Sequence, residues 1–491
     1  METDNKSYRQ IIKSTGIFGG SQVITILIGI VRNKLLAIIL GASGIGLISI
    51  YQNILDLVRS VSSFGIETTG VKEIASVAQH EELNRLKEVI SIIERWVFLF
   101  AITGGLVCLL FSYPISIWAF GNSSYTIHIS LLSVCVFFSI LAVGEVIVLH
   151  GLRRITDMVK ATLIGSLVGL IFSLPLYYIF REKGIIPAFI LMSISTYMVA
   201  NYYRREVQIG VVRLSFRDTF RRGIPFLKMG FFIVISSVLT LLGFFLIRTL
   251  LNKDAGLYSV GLFQAAWSIT NVYLMLILKS MGSDFYPRLC TIIDNNESSK
   301  KLINEQTHIV LIISTPIIIL LLLCSKLVLL LLYSSEFVSA TSLLNWQVFG
   351  TFFKVLSWPL GFILLAKGKG KIYFFSETLY LIVYLGFSYW LYGEYGLEGI
   401  GISFLIAYIV YLVAVFFLGK QLSDFRWSNR NMLIGFISFI LVLLAFVFIQ
   451  FYREYIIIAG VPIFIISVLY SLFNLNKVMP LKSILKFLRK R

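Results

Sequence analysis

Fourteen long apolar runs limit what this sequence can fold into. They lie near residues 11–40, 44–64, 91–112, 125–150, 157–180, 184–203, 224–251, 257–280, 306–332, 340–366, 371–392, 396–420, 431–451 and 455–473. About 20 apolar residues in a helix cross a bilayer, and most of these runs reach that length. A β-barrel would instead show ten-residue segments of alternating polarity. The sequence therefore predicts an all-α polytopic membrane protein with about 14 transmembrane helices.

Basic residues collect in alternate loops between the apolar runs. They are dense at 153–160, 204–222, 300–301, 367–371 and 420–430, and in the tail 477–491, whereas the intervening loops carry few. Cytoplasmic loops are enriched in Lys and Arg, so both termini are expected to be cytoplasmic. The tail has the spacing of an amphipathic helix on the inner leaflet, which makes membrane lipids an expected partner. Because this pattern accounts for most of the net charge of +18, no nucleic-acid partner is predicted.

The sequence contains no pattern typical of an enzyme or a metalloprotein. Its four cysteines and four histidines are scattered, without the spacing of a metal or redox site. Nucleophile elbows, P-loops and zinc motifs are not found either. We therefore expect no catalytic residues, no metal and no cofactor.

Two halves of the chain show signs of an internal duplication. VKEIASVAQHEELNRLKEVI (71–90) resembles YPRLCTIIDNNESSKKLINE (286–305) at an offset of 215 in the numbering, and Arg32 precedes Arg248 by 216. The turns GIGLIS (44–49) and DAGLYS (254–259) match at 210, so the register differs there. The prediction is an N-terminal six-helix lobe (1–203), a basic cytoplasmic linker (204–223), a C-terminal six-helix lobe (224–420), and a two-helix appendage with a basic tail (421–491).

Several charged residues fall inside the predicted spans, where a charge costs at least roughly 2.5 kcal/mol on insertion scales. Arg32 and Arg248 occupy matching first helices, and we expect both to line a cavity that holds a diphosphate, because guanidinium groups match phosphate oxygens. Lys34, Arg59 and Lys354 are further candidates for this cationic cavity. The alternative is that each cation pairs with a carboxylate or reaches an interface.

Three carboxylates and one amide complete the set of candidates. Gln52, Asp56 and Arg59 share one helix face, so Asp56 either pairs with Arg59 or lines the cavity with Gln52. Glu145 and Glu377 are candidates for proton or sodium coupling, because a carboxyl group removed from water can titrate near neutral pH.

The segments GLISIYQNILDLVRSVSSFGI (46–66), FYPRLCTII (285–293) and LLNWQVFGTFFKVLSWPLGFILLAKGKGKIYFFSE (343–377) resemble the Wzx-type O-antigen flippases of the polysaccharide transporter branch of the MOP superfamily. In the last segment the likeness rests on Trp346, Gln347, Gly350, Lys354, Ala366, Lys367, Tyr373 and Glu377. Thr351 departs from the family, which carries an acidic residue there, and so does the appended helix pair, since the common form has twelve spans.

The resemblance implies a MATE-like two-lobed helical bundle in the bacterial inner membrane. Its substrate would be an undecaprenyl-pyrophosphate-linked oligosaccharide, moved to the outer leaflet by alternating access for O-antigen, hence lipopolysaccharide, biosynthesis. Proton or sodium coupling and a polysaccharide polymerase partner are further expectations. Three alternatives stay open: a lipid II flippase, a MATE-like drug/cation antiporter, and a membrane polymerase or ligase. The last would need a longer outer loop than any predicted here.

Overall fold

The computed structural model describes residues 2–78, 83–210, 212, 215–273, 275–452, 454 and 456–478. The basic tail beyond residue 478 lies outside the described residues. The chain divides into two compact units, Met1–Gly261 and Leu262–Arg491.

The described part of the first unit consists mainly of helices. They are α1 (Glu2–Ser63), α2 (Ile66–Ala78), α3 (Leu83–Leu110), α4 (Ser112–Phe120), α5 (Thr126–Gly151), α6 (Ile155–Phe180), α7 (Ile185–Arg205) and most of α8 (Phe216–Ser268). In this unit α6 packs along α7, and α5 packs along both α3 and α7.

The second unit repeats this organisation and adds two helices. It holds the end of α8 followed by α9 (Met275–Ile292), α10 (Asn296–Leu323), α11 (Ser325–Leu332), α12 (Thr341–Ala366), α13 (Gly370–Tyr395), α14 (Leu397–Ser423), α15 (Asn429–Phe451) and α16 (Val461–Val478). Here α14 packs along α12 and α13, while α15 and α16 both pack on α10.

Ten helical segments of the described chain are long and apolar enough to cross a membrane. Two of them, Ile24–Ser63 and Ile155–Arg205, each overlap two of the predicted spans, so the ten segments correspond to twelve of the fourteen. The other two, near 224–251 and 257–280, fall largely on α8. The predicted all-α polytopic membrane fold is confirmed.

Both long helices are interrupted at a glycine. Gly41 in α1 has φ 67° and ψ −169°, and Gly256 in α8 has φ 75° and ψ 178°. This positive-φ conformation is open to glycine at no steric cost, which explains the residue type at both breaks. The numbers of the two glycines differ by 215. The offset of 210 expected for this turn is therefore wrong, and the whole turn follows the same register as the 71–90 and 286–305 segments.

The same offset relates whole helices of the two units. α5 spans Thr126–Gly151 and α12 spans Thr341–Ala366, so both ends shift by 215 in the numbering. α6 and α13 obey the same shift, from Ile155–Phe180 to Gly370–Tyr395. These coincidences support the predicted internal duplication.

Candidate functional site

A cavity of about 580 Å³ lies among α1, α2, α5, α6 and α7 of the first unit. Both segments of α1 contribute to it, because Arg32 precedes the break at Gly41 whereas Gln52 and Arg59 follow it. Glu67 and His150 line it as well. Small residues of α5, α6 and α7, such as serine, threonine and alanine, form much of the remaining wall and leave the space open.

Arg32 lines this cavity without forming an ion pair with any carboxylate of the described residues. Its Nε atom is buried and has no hydrogen-bond partner, and its guanidinium group interacts electrostatically with the buried Tyr177 hydroxyl. Among the residues that the structure describes, no carboxylate forms an ion pair with it. Such a guanidinium group keeps its full charge and most of its donors for an anionic ligand.

Gln52, Asp56 and Arg59 form a chain along one face of α1, as their spacing predicts. The Gln52 amide donates to Asp56 Oδ2 at 3.1 Å, and Arg59 lies 3.6 Å from Asp56 Oδ1. Asp56 therefore balances part of the charge of Arg59 and orients the Gln52 side chain. Arg59 is a weaker anion site than Arg32 for this reason.

The second unit contains a related cavity of about 280 Å³. Nine of its eleven lining residues lie 215 positions after a residue that lines the first cavity. Ser139 of the first cavity corresponds to Lys354 of the second, and Thr162 corresponds to Glu377. The duplicated scaffold thus forms an equivalent cavity in each unit, with different chemistry.

The charged groups of the second cavity are held by polar and aromatic neighbours. Lys354 Nζ donates to Asn271 Oδ1 and lies 5.3 Å from the ring centroid of Tyr408. The Tyr411 hydroxyl donates to Glu377 Oε1 at 2.6 Å. Because Lys354 and Glu377 also interact electrostatically, each lowers the cost of burying the other.

The other sequence-predicted cations and Glu145 are not among the residues that line these two cavities. Arg248 is buried, donates to the Phe244 carbonyl at 3.2 Å, and does not line the first cavity with Arg32. Lys34 does not line it either. Glu145 lines a separate cavity of about 520 Å³, beside the ion pair between Arg204 and Glu94.

Glu67 and His150 were missed by the sequence reasoning. His150 lies in the last turn of α5 and Glu67 in the first turn of α2, so helix packing brings them to the cavity that Arg32 also lines. The offset of 215 between the two repeats aligns Ser139 with Lys354 and Thr162 with Glu377. This alignment is the sequence signal that could have indicated which small residues line the first cavity.

A family model described as "Polysaccharide biosynthesis protein" matches residues 11–293, more than half of the chain. The chain belongs to this family. It is 23% identical over 406 residues to the lipid III flippase of Escherichia coli (strain K12), which covers 80% of this chain and 94% of the relative. A Shigella flexneri protein named "Putative O-antigen transporter" is 26% identical over 410 residues, covering 82% and 95% of the two chains.

Two solved structures share the fold of this chain. The lipid II flippase MurJ in an inward closed conformation matches with a TM-score of 0.69 at 15% identity, over 95% of this chain and all of that one. An inward-facing MATE-family multidrug resistance transporter matches at 0.63 and 16% identity, over 87% of this chain and 96% of that one. The resemblance to polysaccharide transporters inferred from the sequence is confirmed at the level of family, and the predicted MATE-like helical fold is confirmed as well.

Proposed function

We propose that this protein is a flippase of the bacterial inner membrane. Its substrate would be an undecaprenyl-pyrophosphate-linked oligosaccharide, the repeat unit of an O-antigen or another surface polysaccharide, carried from the cytoplasmic to the outer leaflet. The family, and the relatives named as a lipid III flippase and an O-antigen transporter, support a lipid-linked glycan as the substrate class. Alternating access between the two repeats is the mechanism expected of such a duplicated transporter.

The observation that carries this proposal is the environment of Arg32. A guanidinium group within an apolar helix is costly unless it serves a polar interior, and this one lines a cavity in which no described carboxylate, Glu67 included, forms an ion pair with it. A pyrophosphate would supply the missing negative charge and could accept two parallel hydrogen bonds. Arg59 and Lys354 stay in the proposal as secondary cations, whereas Arg248 and Lys34 would act from outside this cavity.

The direct test is flipping of a fluorescent undecaprenyl-pyrophosphate glycan in proteoliposomes. Loss of a charge-assisted hydrogen bond costs roughly 1.5–3 kcal/mol, so Arg32→Ala should slow flipping at limiting substrate roughly 10-fold to 100-fold. Arg32→Lys should restore part of the rate. Arg288→Ala is the matched control, because Arg288 is exposed and its ion pair is with the exposed Asp284. Equal rates for Arg32→Ala and the control, with both proteins folded, would refute the proposed role of Arg32.

Lipid II is the second candidate substrate. The match to MurJ over 95% of this chain favours it, since that coverage extends over most of the appended helices. Adding unlabelled lipid II to the same liposomes distinguishes the two, because a shared site predicts competition. A cationic-drug antiporter is disfavoured by Arg32, which would repel such a substrate.

Ion coupling is a separate part of the proposal. Glu377 is buried and accepts a hydrogen bond from Tyr411, while Glu145 lies near Arg204 in its own cavity. A carboxylate in such a site can exchange a proton or a sodium ion during transport. Of the two, Glu377 is favoured because its cavity is the repeat equivalent of the one that contains Arg32.

A further inference from the structure

A cationic cavity of about 560 Å³ lies at one end of the second unit. Three elements form it: the start of α10, the start of α15 and the end of α16. Its polar lining consists of Glu297, Lys300, Lys301, Asn304, Glu305, His308, Ser428, Arg430, Asn431 and Lys477. The appended helices α15 and α16 therefore complete a site that α10 begins, and this site shares no lining residue with the cavities that contain Arg32 and Lys354.

Positive charge exceeds negative charge in this cavity. Lys300 is 3.7 Å from Glu297, so that pair is balanced. The other charged residues of the lining are three cations and one carboxylate, namely Lys301, Arg430, Lys477 and Glu305. The cavity consequently attracts an anion.

Arg430 is fixed by a neutral partner. Its NH2 group lies 3.3 Å from His308 Nε2, and His308 Nδ1 lies 3.3 Å from Asn431 Oδ1. Because a guanidinium group only donates, Nε2 must accept and Nδ1 must carry the proton, which describes a neutral imidazole. The contact orients Arg430 but leaves its positive charge uncompensated. A carboxylate partner would instead neutralise that charge.

The surroundings of Lys477 identify the anion as a lipid. Lys477 is the last residue of the apolar segment Ile458–Lys477, and its Nζ atom lies 4.1 Å from the Phe473 ring centroid. Ile466, Leu469 and Phe473 form an exposed apolar face of α16 that leads to this end. Cations at the end of a lipid-facing helix contact phosphates at head-group depth, while the apolar face contacts acyl chains.

We propose that this cavity binds the phosphodiester head group of an anionic phospholipid. The charge distribution along the chain predicts that it opens to the cytoplasmic leaflet, where such lipids attract basic segments. A volume within the range of roughly 300–1,000 Å³ typical of small-molecule sites accommodates a glycerophosphate group. The appended helix pair thus gives the transporter a lipid site that does not depend on the transported substrate.

Native mass spectrometry of the full-length protein in neutral detergent tests this proposal. Phosphatidylglycerol and phosphatidylcholine with identical acyl chains are added in turn, and the dissociation constant of the first bound lipid is measured. We expect phosphatidylglycerol to bind about tenfold more tightly. The double variant Lys301→Gln/Arg430→Gln should lose this preference. Lys369→Gln/Lys371→Gln removes the same charge from exposed positions outside the cavity, and should keep it.

A third variant and a competition measurement test the proposed lipid site further. Glu305→Gln removes the opposing carboxylate and should strengthen the preference, which tests the site without weakening its structure. Inorganic phosphate should compete poorly, because it lacks acyl chains to contact α16. Equal binding of the two lipids, equal behaviour of the two double variants, or displacement by inorganic phosphate at the concentration of the lipid would each overturn the proposal.

Discussion

Gly46 and Gly261 lie at one helix crossing, and each packs against a backbone carbonyl group of the other helical segment. A Cβ atom on Gly46 would lie 2.0 Å from the Leu257 carbonyl oxygen, and one on Gly261 would lie 1.9 Å from the Ala42 carbonyl oxygen. Residues 42 and 257 are 215 positions apart, as are 46 and 261. The crossing, which lies within the first unit, is therefore reciprocal.

Substitution of either glycine should be severely destabilising. In Gly46→Ala and Gly261→Ala the obstructing atom belongs to the backbone, so a side-chain rotation does not relieve the clash. Overpacking of this kind costs typically about 1–3 kcal/mol and sometimes more. We expect a lower midpoint of thermal aggregation in detergent, measured by size-exclusion chromatography after heating.

Gly29→Ala and Gly386→Ala are the controls for this experiment. Both glycines are helical, and a Cβ atom on either would have nothing within 4 Å. Alanine is favoured over glycine in helices by about 1 kcal/mol, so these variants should be as stable as the parent or more so. If all four variants melt alike, the close crossing is not a determinant of stability.

Several polar contacts tie the end of α7, the segment that follows it and the start of α8 to α3. Arg204 pairs with Glu94 at 2.7 Å, the Val212 amide donates to Ser91 Oγ at 2.8 Å, and the Trp96 indole donates to the Thr219 carbonyl at 3.3 Å. This attachment explains why the first unit extends past the predicted lobe boundary at 203 and includes most of α8.

Glu94→Gln should destabilise the protein through Arg204. The Arg204 side chain is only 8% exposed, so the substitution leaves a buried guanidinium group without its counter-charge. Removal of one partner from a fully buried pair costs roughly 3–5 kcal/mol, and partial exposure of Glu94 lowers the expectation to about 1–3 kcal/mol. Asp284→Asn removes a similar carboxylate from an exposed pair with Arg288, and should leave the thermal midpoint unchanged.

The sequence allowed the helices and one part of the site to be predicted, because both depend on local spacing. The fourth predicted span, 125–150, agrees with Thr126–Gly151. Gln52, Asp56 and Arg59 contact one another because they lie three and four residues apart on one helix.

The rest of the fold and of the candidate site depends on contacts between residues that are far apart in the sequence. Charge and apolarity do not reveal that Gly41 and Gly256 break helices in a common register, since helical glycines are also frequent in apolar runs. An offset of 215 pairs Arg248 with Asn33, and pairs Arg32 with Ile247. A shift of one residue turns a side chain by about 100° around the helix, so Arg248 faces different neighbours from those of Arg32.

Cys290 provides a test of the predicted orientation. It is exposed, whereas Cys108 and Cys135 are buried and Cys324 is half-buried. In a variant with the other three cysteines replaced by serine, a membrane-impermeant maleimide should label inverted vesicles and leave intact cells unlabelled, because Cys290 lies in a segment predicted to be cytoplasmic. Labelling of intact cells would reverse the orientation of the whole chain.

Glu377→Gln should separate transport from its driving force. The amide oxygen can still accept the hydrogen bond from Tyr411, so the cavity keeps its shape, but the charge opposite Lys354 is lost. If Glu377 carries the coupling ion, flipping in proteoliposomes should no longer accelerate when a proton or a sodium gradient is imposed, while slow downhill exchange continues. Glu394→Gln, at an exposed position near the end of α13, should respond to the gradient as the parent does. Gradient-driven acceleration that survives Glu377→Gln would exclude this carboxylate as the coupling group and direct attention to Glu145.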